Sequence, residues 1–321
     1  MSSNRYAAAL LAVVTLCAVV AGCAATPGAG DPSTPPGASR SVAAGPSTAS
    51  LGERRVSTES ALPPRVVAGY WHSWGTPPVR LRDVPKEYTV VMAAFAVGDR
   101  TGRVRFASTV QSAASLVADI RSLHASGRRV LLAVGGWNDG GLQIRTDAQL
   151  ATFLASVTPI IDRYGFSGLD WDLEHGISPA TLERATRRLA ERYGQRFAIT
   201  MAPILGPREP EQLELARRIG DELDMVNPQY YNGGRSEQAW IVEHTLGWVR
   251  VVGEQSVGMG FLLVRLPGET GTQTPPAICA MWQSLLERAP HARGVMVWSV
   301  NHDRSQGYRF ATTCARTVLR S

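Results

Sequence analysis

Lysine is almost absent from this chain of 321 residues. Lys86 is the only one, so the formal charge of +6 rests on arginine. A nucleic-acid-binding face gathers its basic residues into patches with aromatics between them. Here the arginines are spread along helical stretches such as LERATRRLAERYGQR. That pattern is a solvated helix surface, and no nucleic-acid partner is expected; a basic surface still favours the neighbourhood of anionic polymers. A glycine-rich G-x-G-x-x-G loop is missing after the first apolar run, which argues against a dinucleotide fold. No cofactor is expected. Cysteine is scarce, with four residues at 17, 23, 279 and 314.

The N-terminal segment differs from the rest. MSSNRYAAALLAVVTLCAVVAGC carries one cation, Arg5, ahead of an apolar run from Tyr6 to Val20 and small residues before Cys23. This is the outline of an export signal over residues 1–22. Val20-Ala21-Gly22-Cys23 also resembles a bacterial lipobox, in which the cysteine is acylated and becomes the mature N-terminus. A plain secretory signal is one alternative. A retained membrane anchor is another, because the run is nearly long enough to span. Residues 23–63 are rich in Ala, Gly, Pro, Ser and Thr, a composition that cannot bury an apolar core and reads as a flexible tether. The expectation is an exported protein held at the membrane by a lipid on Cys23, or otherwise secreted. Cys17 then leaves with the signal. Cys279 and Cys314 remain and are candidates for a disulfide in an oxidising compartment.

From residue 64 to 321 short β-branched runs alternate with longer amphipathic ones. The candidate strands cover 65–71, 89–97, 129–137, 165–174, 196–203, 223–232, 256–264 and 293–300. Helix-period segments lie between most of them, and the clearest end at glycine. Alternating β and α units imply a parallel sheet. Eight of them in this length fit an α/β fold of the (β/α)8 barrel type, as a single catalytic domain and a monomer. Such barrels carry their active sites at the C-terminal ends of the strands. Polar residues collect at those ends, in GGWND, DWDLEH, QYYN and WSVNHD.

The fourth candidate strand, GFSGLDWDLE, carries Asp170, Asp172 and Glu174 at every second position. Strand side chains alternate faces, so the three share one face, with Cα atoms roughly 6.5–7 Å apart. Leu169, Trp171 and Leu173 take the other face and pack outward. Three close carboxylates cannot all ionise cheaply, and burial and repulsion raise at least one pKa. Glu174 is nearest the open end and is the candidate general acid. A proton donor in a cleft points to glycoside hydrolysis. The usual mechanism needs a second carboxylate across the sugar. Carboxylates side by side on one strand do not provide it, so the substrate would supply the nucleophile. A divalent metal is the rival reading of such oxygens, with His175 or His302 joining. His175 has the wrong parity for the inward face, and no metal is expected.

With these residues assembled, the chain resembles glycoside hydrolase family 18, the chitinases and their relatives, over residues 65–303. The family motif D-x-x-D-x-D-x-E stands here as Ser167 to Glu174, with Ser in place of the first acid. S-x-G-G stands as Ala133-Val134-Gly135-Gly136, with Ala in place of Ser. Met201 and Pro203 match on the fifth strand, Gln229-Tyr230-Tyr231-Asn232 on the sixth and Trp298 on the eighth.

The resemblance implies a retaining, substrate-assisted reaction without a cofactor. Glu174 protonates the glycosidic oxygen. The sugar's own acetamide attacks to give an oxazolinium ion. Asp172 holds the acetamide N–H, Asp170 pairs with Asp172, and Tyr231 binds the acetamide oxygen. Gln229, Trp298, Met201, Tyr70 and Gly136 are the expected substrate contacts, with Trp298 as the floor and Tyr70 or Trp71 stacking on sugar. Chitin or another N-acetylglucosamine-containing oligosaccharide is the expected partner. The compact chain, with no long insertion after the seventh strand, looks like the open-groove class, which favours internal cleavage. An endo-N-acetylglucosaminidase acting on glycans or cell-wall polymer shares the mechanism. A carbohydrate-binding barrel without turnover is the third reading, kept open by Ser167 and Ala133.

Overall fold

Eight apolar runs pair side by side as parallel strands in the computed structural model, which describes residues 60–321 other than 76, 77, 138, 140, 176 and 177. The expected export signal, Cys23 and nearly all of the tether lie outside the described residues. In chain order the elements are β1 (Val66–His72), β2 (Val90–Gly98), β3 (Val104–Arg105), α1 (Ala113–Ala125), β4 (Arg129–Gly135), α2 (Asp147–Tyr164), β5 (Gly168–Asp172) and α3 (Pro179–Tyr193). There follow β6 (Ala198–Met201), α4 (Glu209–Arg218), β7 (Met225–Val226), α5 (Gln238–Val252), β8 (Gly258–Leu262), α6 (Pro275–Leu286) and β9 (Gly294–Trp298). Three short helices close the chain: α7 (Val300–Ser305), α8 (Arg309–Thr312) and α9 (Cys314–Arg320).

The strand order is β7-β6-β5-β4-β2-β1-β9-β8, and bridges Val226↔Val257 and Gln229↔Gly260 join the two ends. This is the (β/α)8 barrel that the alternation implied. Two features depart from the simple repeat. β3 is a short antiparallel addition on β2, and a 3-10 turn at Leu81–Asp83 stands between β1 and β2, where Pro78 and Pro85 interrupt any helix.

Strand parity divides the core into two layers. Val67, Trp71, Leu169, Trp171 and Ile199 face outward and pack under the helices. Ala68, Tyr70, Ala94, Leu131, Ala133 and Ala198 fill the barrel interior. The small inward residues leave room at the C-terminal mouth for the polar row of β5. That strand is shorter than its apolar run. Gly165 ends α2 with a left-handed φ of 77°, and Glu174 lies two residues beyond the strand. Helix α2 starts on a capping box between Thr146 and Gln149, and α6 on the Thr274 hydroxyl.

The chain enters at the N-terminal mouth, opposite the polar row. The Ser60 hydroxyl and the Ala61 N–H both donate to Asp224, at 2.9 and 3.2 Å. Arg293 donates to the carbonyls of Leu62 and Pro63. Residues 60–63, expected to belong to the tether, are therefore part of the barrel, because Asp224 and Arg293 satisfy their backbone.

Cys279 on α6 and Cys314 at the start of α9 come together as the export argument expected, but as free thiols. They share a hydrogen bond, and burial pushes the Cys314 thiol well above its usual range. The expected disulfide is not formed. Among the described residues no helix is long and apolar enough to cross a membrane.

Candidate active site

Asp170 and Asp172 point into the barrel because Leu169 and Trp171 on the alternate positions are claimed by the outer layer; the Trp171 indole N–H donates to Thr186 on α3 at 3.0 Å. Both carboxylates are buried, Asp170 completely. Burial without a partner would be costly, and neither is without one. The Tyr70 hydroxyl donates to Asp170 at 2.7 Å, and the Thr200 hydroxyl donates to its other oxygen at 2.5 Å. The Gln229 amide donates to Asp172 at 2.7 Å and to the Ala202 carbonyl at 2.9 Å. Glu174 stands half-buried at the mouth, two residues beyond the strand.

The electrostatics follow from this crowding. Burial pushes Asp170 up to about 6, against the two hydroxyl bonds that favour its charged form. Asp172 is held well above the usual carboxylate range by burial, then by the charges of Glu174 and Asp170. Burial pushes Glu174 up to about 7, while His175 and the Gln229 amide pull the other way. The row titrates as a coupled set. Glu174 holds a proton near neutrality and reaches the open end, the position of a general acid. Tyr231 is buried beside the row, and burial together with the charges of Asp172 and Glu174 raises its hydroxyl.

Several expected contacts take other places. Tyr70 does not stack on sugar, because its ring is 0% exposed, packed 5.4 Å from Trp298 and 5.7 Å from Phe95, with its hydroxyl spent on Asp170. Met201 does not line the site. It shares parity with Ile199 and packs in the outer layer, while Thr200 and Ala202 take the inward positions of β6 and its end. Gly136 is buried and serves the backbone. Its N–H donates to the Asp172 carbonyl at 2.7 Å, and at a φ of 86° a Cβ would meet the Phe95 ring. Trp298 is half-buried on the inner face, stacked at 12° on Phe95, where an apolar floor was expected. Gln229 meets carboxylates directly.

The two departures from the family motif also find their places. Ser167 lies before β5, roughly 10 Å along the strand from Asp170. Its hydroxyl accepts from the Val130 N–H and donates to the Val130 carbonyl, each at 3.2 Å, and so joins two strands at the barrel's other end. Ala133 sits opposite Asp170 in register and is fully buried. The hydroxyl it lacks is supplied from the other neighbouring strand by Thr200, which pairs with Asp170 in register.

Sequence reasoning passed over Thr200, His72, Trp74 and Trp137. Trp74 and Trp137 are large aromatics left 40% and 70% exposed at the strand mouths. His72 stacks on Trp74 at 4.8 Å and packs at a 38° tilt against Trp298 at 4.7 Å, and burial holds it neutral, down to about 3. Their signal was position: each lies within a few residues of a strand's C-terminal end. Among the described residues no three His, Cys, Asp or Glu side chains are gathered as a metal ion requires.

A family model described as Glycosyl hydrolases family 18 matches residues 66–256, which includes β1 through β7 and the whole acidic row. The chain belongs to glycosyl hydrolases family 18. Within family 18, Exochitinase 1 of Streptomyces olivaceoviridis is 28% identical over 78% of this chain, which spans 55% of that protein. A probable class II chitinase of Arthroderma benhamiae is 26% identical over 72% of this chain and 92% of its own length. The crystal structure of a putative chitinase A from Streptomyces coelicolor superimposes with a TM-score of 0.75 at 25% identity, covering 80% of this chain and 99% of that one. Asp170, Asp172, Glu174, Gln229 and Tyr231 all converge on the C-terminal mouth of the barrel.

Proposed function

We propose that the chain is a retaining chitinase that hydrolyses β-1,4 bonds between N-acetylglucosamine units with the substrate's acetamide as nucleophile. The observation that carries this reading is the row Asp170, Asp172 and Glu174 at one strand end, with Asp172 held by the Gln229 amide. A row on one side of the sugar leaves the opposed position to the substrate itself.

Glu174, protonated near neutrality, donates to the glycosidic oxygen and so supplies the leaving group's proton. The neighbouring acetamide oxygen attacks the anomeric carbon, and the oxazolinium ion forms with release of the leaving sugar. Asp172 accepts from the acetamide N–H and bears the negative charge that stabilises the cation. Asp170, fixed by Tyr70 and Thr200, keeps its charge close enough to bias the proton toward Asp172 early and toward itself later. Tyr231 donates to the acetamide oxygen. Glu174, now a carboxylate, takes a proton from water, which opens the ring with retention.

The short β8–α6 connection over residues 263–274 leaves the cleft open, which supports internal cleavage. One relative is named an exochitinase, so the mode is decided by products. Export through the N-terminal signal, with a lipid on Cys23, belongs to the same proposal. The test is a digest of N-acetylglucosamine oligomers by the wild type and Glu174→Gln. Cleavage into internal fragments that the variant abolishes is expected. A digest in which the two proteins perform equally overturns the assignment.

A further inference from the structure

The connections that follow β4 and β5 are tied at one point that the chemistry above does not use. His175 Nε2 lies 2.7 Å from the Trp137 carbonyl oxygen. A carbonyl only accepts, so Nε2 carries the hydrogen. The imidazole also packs 5.5 Å from the Trp137 indole at 49°. That indole is 70% exposed, an unusual place for the largest apolar side chain. Its backbone is nonetheless fastened on both sides. Gly136 donates to the Asp172 carbonyl at 2.7 Å, and Asp139 accepts from the Gly98 N–H at 2.6 Å. The aromatic is therefore presented to solvent by a held segment, beside the strand end that carries Glu174.

We infer that His175 is a positioning residue that fastens Trp137 as a stacking wall for a sugar unit of the bound chain. The inference rests on the glycosidase reading and adds a binding determinant to it. Stacking on an indole face is effective only when the ring's orientation is set before the sugar arrives, since ordering it on binding consumes affinity. The Nε2–H bond and the ring contact set it.

The same imidazole stands next to Glu174. His175 faces Glu174 on its own segment and Asp139 on the connection after β4, while Glu174 in turn faces Asp172 on β5 and Tyr231 beyond β7.

The test compares full-length wild type with His175→Gln, His175→Leu, Trp137→Ala and the His175→Leu/Trp137→Ala double variant. Each is assayed on N-acetylglucosamine hexamer across pH, and hexamer binding is measured by calorimetry in the Glu174→Gln background. His175→Leu should raise KM and weaken binding roughly five- to tenfold, the loss of one oriented contact. Trp137→Ala should do the same, and the double variant should add nothing. His175→Gln keeps an amide donor for the Trp137 carbonyl, so its KM should stay within about twofold of wild type, and it keeps the test open if the leucine variant fails to fold. The inference is overturned by wild-type KM and binding in a folded His175→Leu, or by His175 and Trp137 losses that simply add. A wild type that cleaves no hexamer overturns the glycosidase reading instead, and the calorimetric arm then still reads the tie.

Discussion

Thr200 donates its hydroxyl to Asp170 across 2.5 Å, from the neighbouring strand and in register with it. Ala133 stands opposite Asp170 on the other side, and the innermost acid has two hydroxyl donors, Thr200 and Tyr70. Replacing Thr200 with valine removes that donor at nearly constant volume. Asp170 is then expected to titrate above its present value of about 6, because both hydroxyls favour its charged form. Turnover should fall about tenfold and stability by about 1–3 kcal/mol. Thr200→Ser should restore both, as read by kinetics and urea unfolding.

Glu174→Gln should lower turnover by a factor of about 10²–10⁴ while leaving oligosaccharide binding intact. Calorimetry with an N-acetylglucosamine oligomer separates the two. Loss of binding together with turnover would assign Glu174 to the architecture of the cleft.

The raised acids make both activity and stability fall as pH rises. Glu174 loses its proton at about 7 in the fold, against 4.5 for an ordinary glutamate, so kcat/KM should fall above about pH 7. For stability the sign runs the same way. Between those two values the unfolded chain has released a proton that the fold retains, so stability declines as pH rises through this window. Glu174→Gln removes that cost. Its melting temperature should match wild type in acid and exceed it by a few degrees above pH 7. Equal melting curves at both ends would mean that Glu174 is not buried as described.

Cys279 and Cys314 should join when the protein meets a disulfide oxidant, since their side chains already touch. The bridge would tie α9 to α6 and raise stability by roughly 3 kcal/mol. Peptide mapping before and after dithiothreitol detects it, and Cys279→Ser should abolish the gain. A melting temperature indifferent to oxidant would show that the pair does not bridge.

Ser167→Ala should lower stability by about 1 kcal/mol through loss of its two bonds to Val130, with the pH–rate profile unchanged. A displaced profile would give this residue an electrostatic reach that its position does not suggest.

How much of this was legible in the sequence depends on the kind of signal. Period two named the inward acids, because a strand offers each side chain only two directions and the alternate positions were apolar. Alternating runs named the barrel. The same parity rule, applied to β6, would have sent Met201 outward and Thr200 inward; matching a motif by its letters overrode it. Ser167 looked like a weakened active site only because the motif brackets it with the acids.

Sequence alone determined which side chains of the fourth candidate strand face the barrel interior and which of them are acidic. These are local quantities, set by backbone periodicity and side-chain polarity. Tertiary structure decided which partners the acids have. The Tyr70 and Thr200 hydroxyls, the Gln229 amide and the His175–Trp137 tie each join residues from different strands or loops, and their distances depend on register and closure. Proton affinity in a buried row is set by those partners and by lost water. A carboxylate's position can therefore be read from spacing, whereas its charge is fixed only when the barrel closes around it.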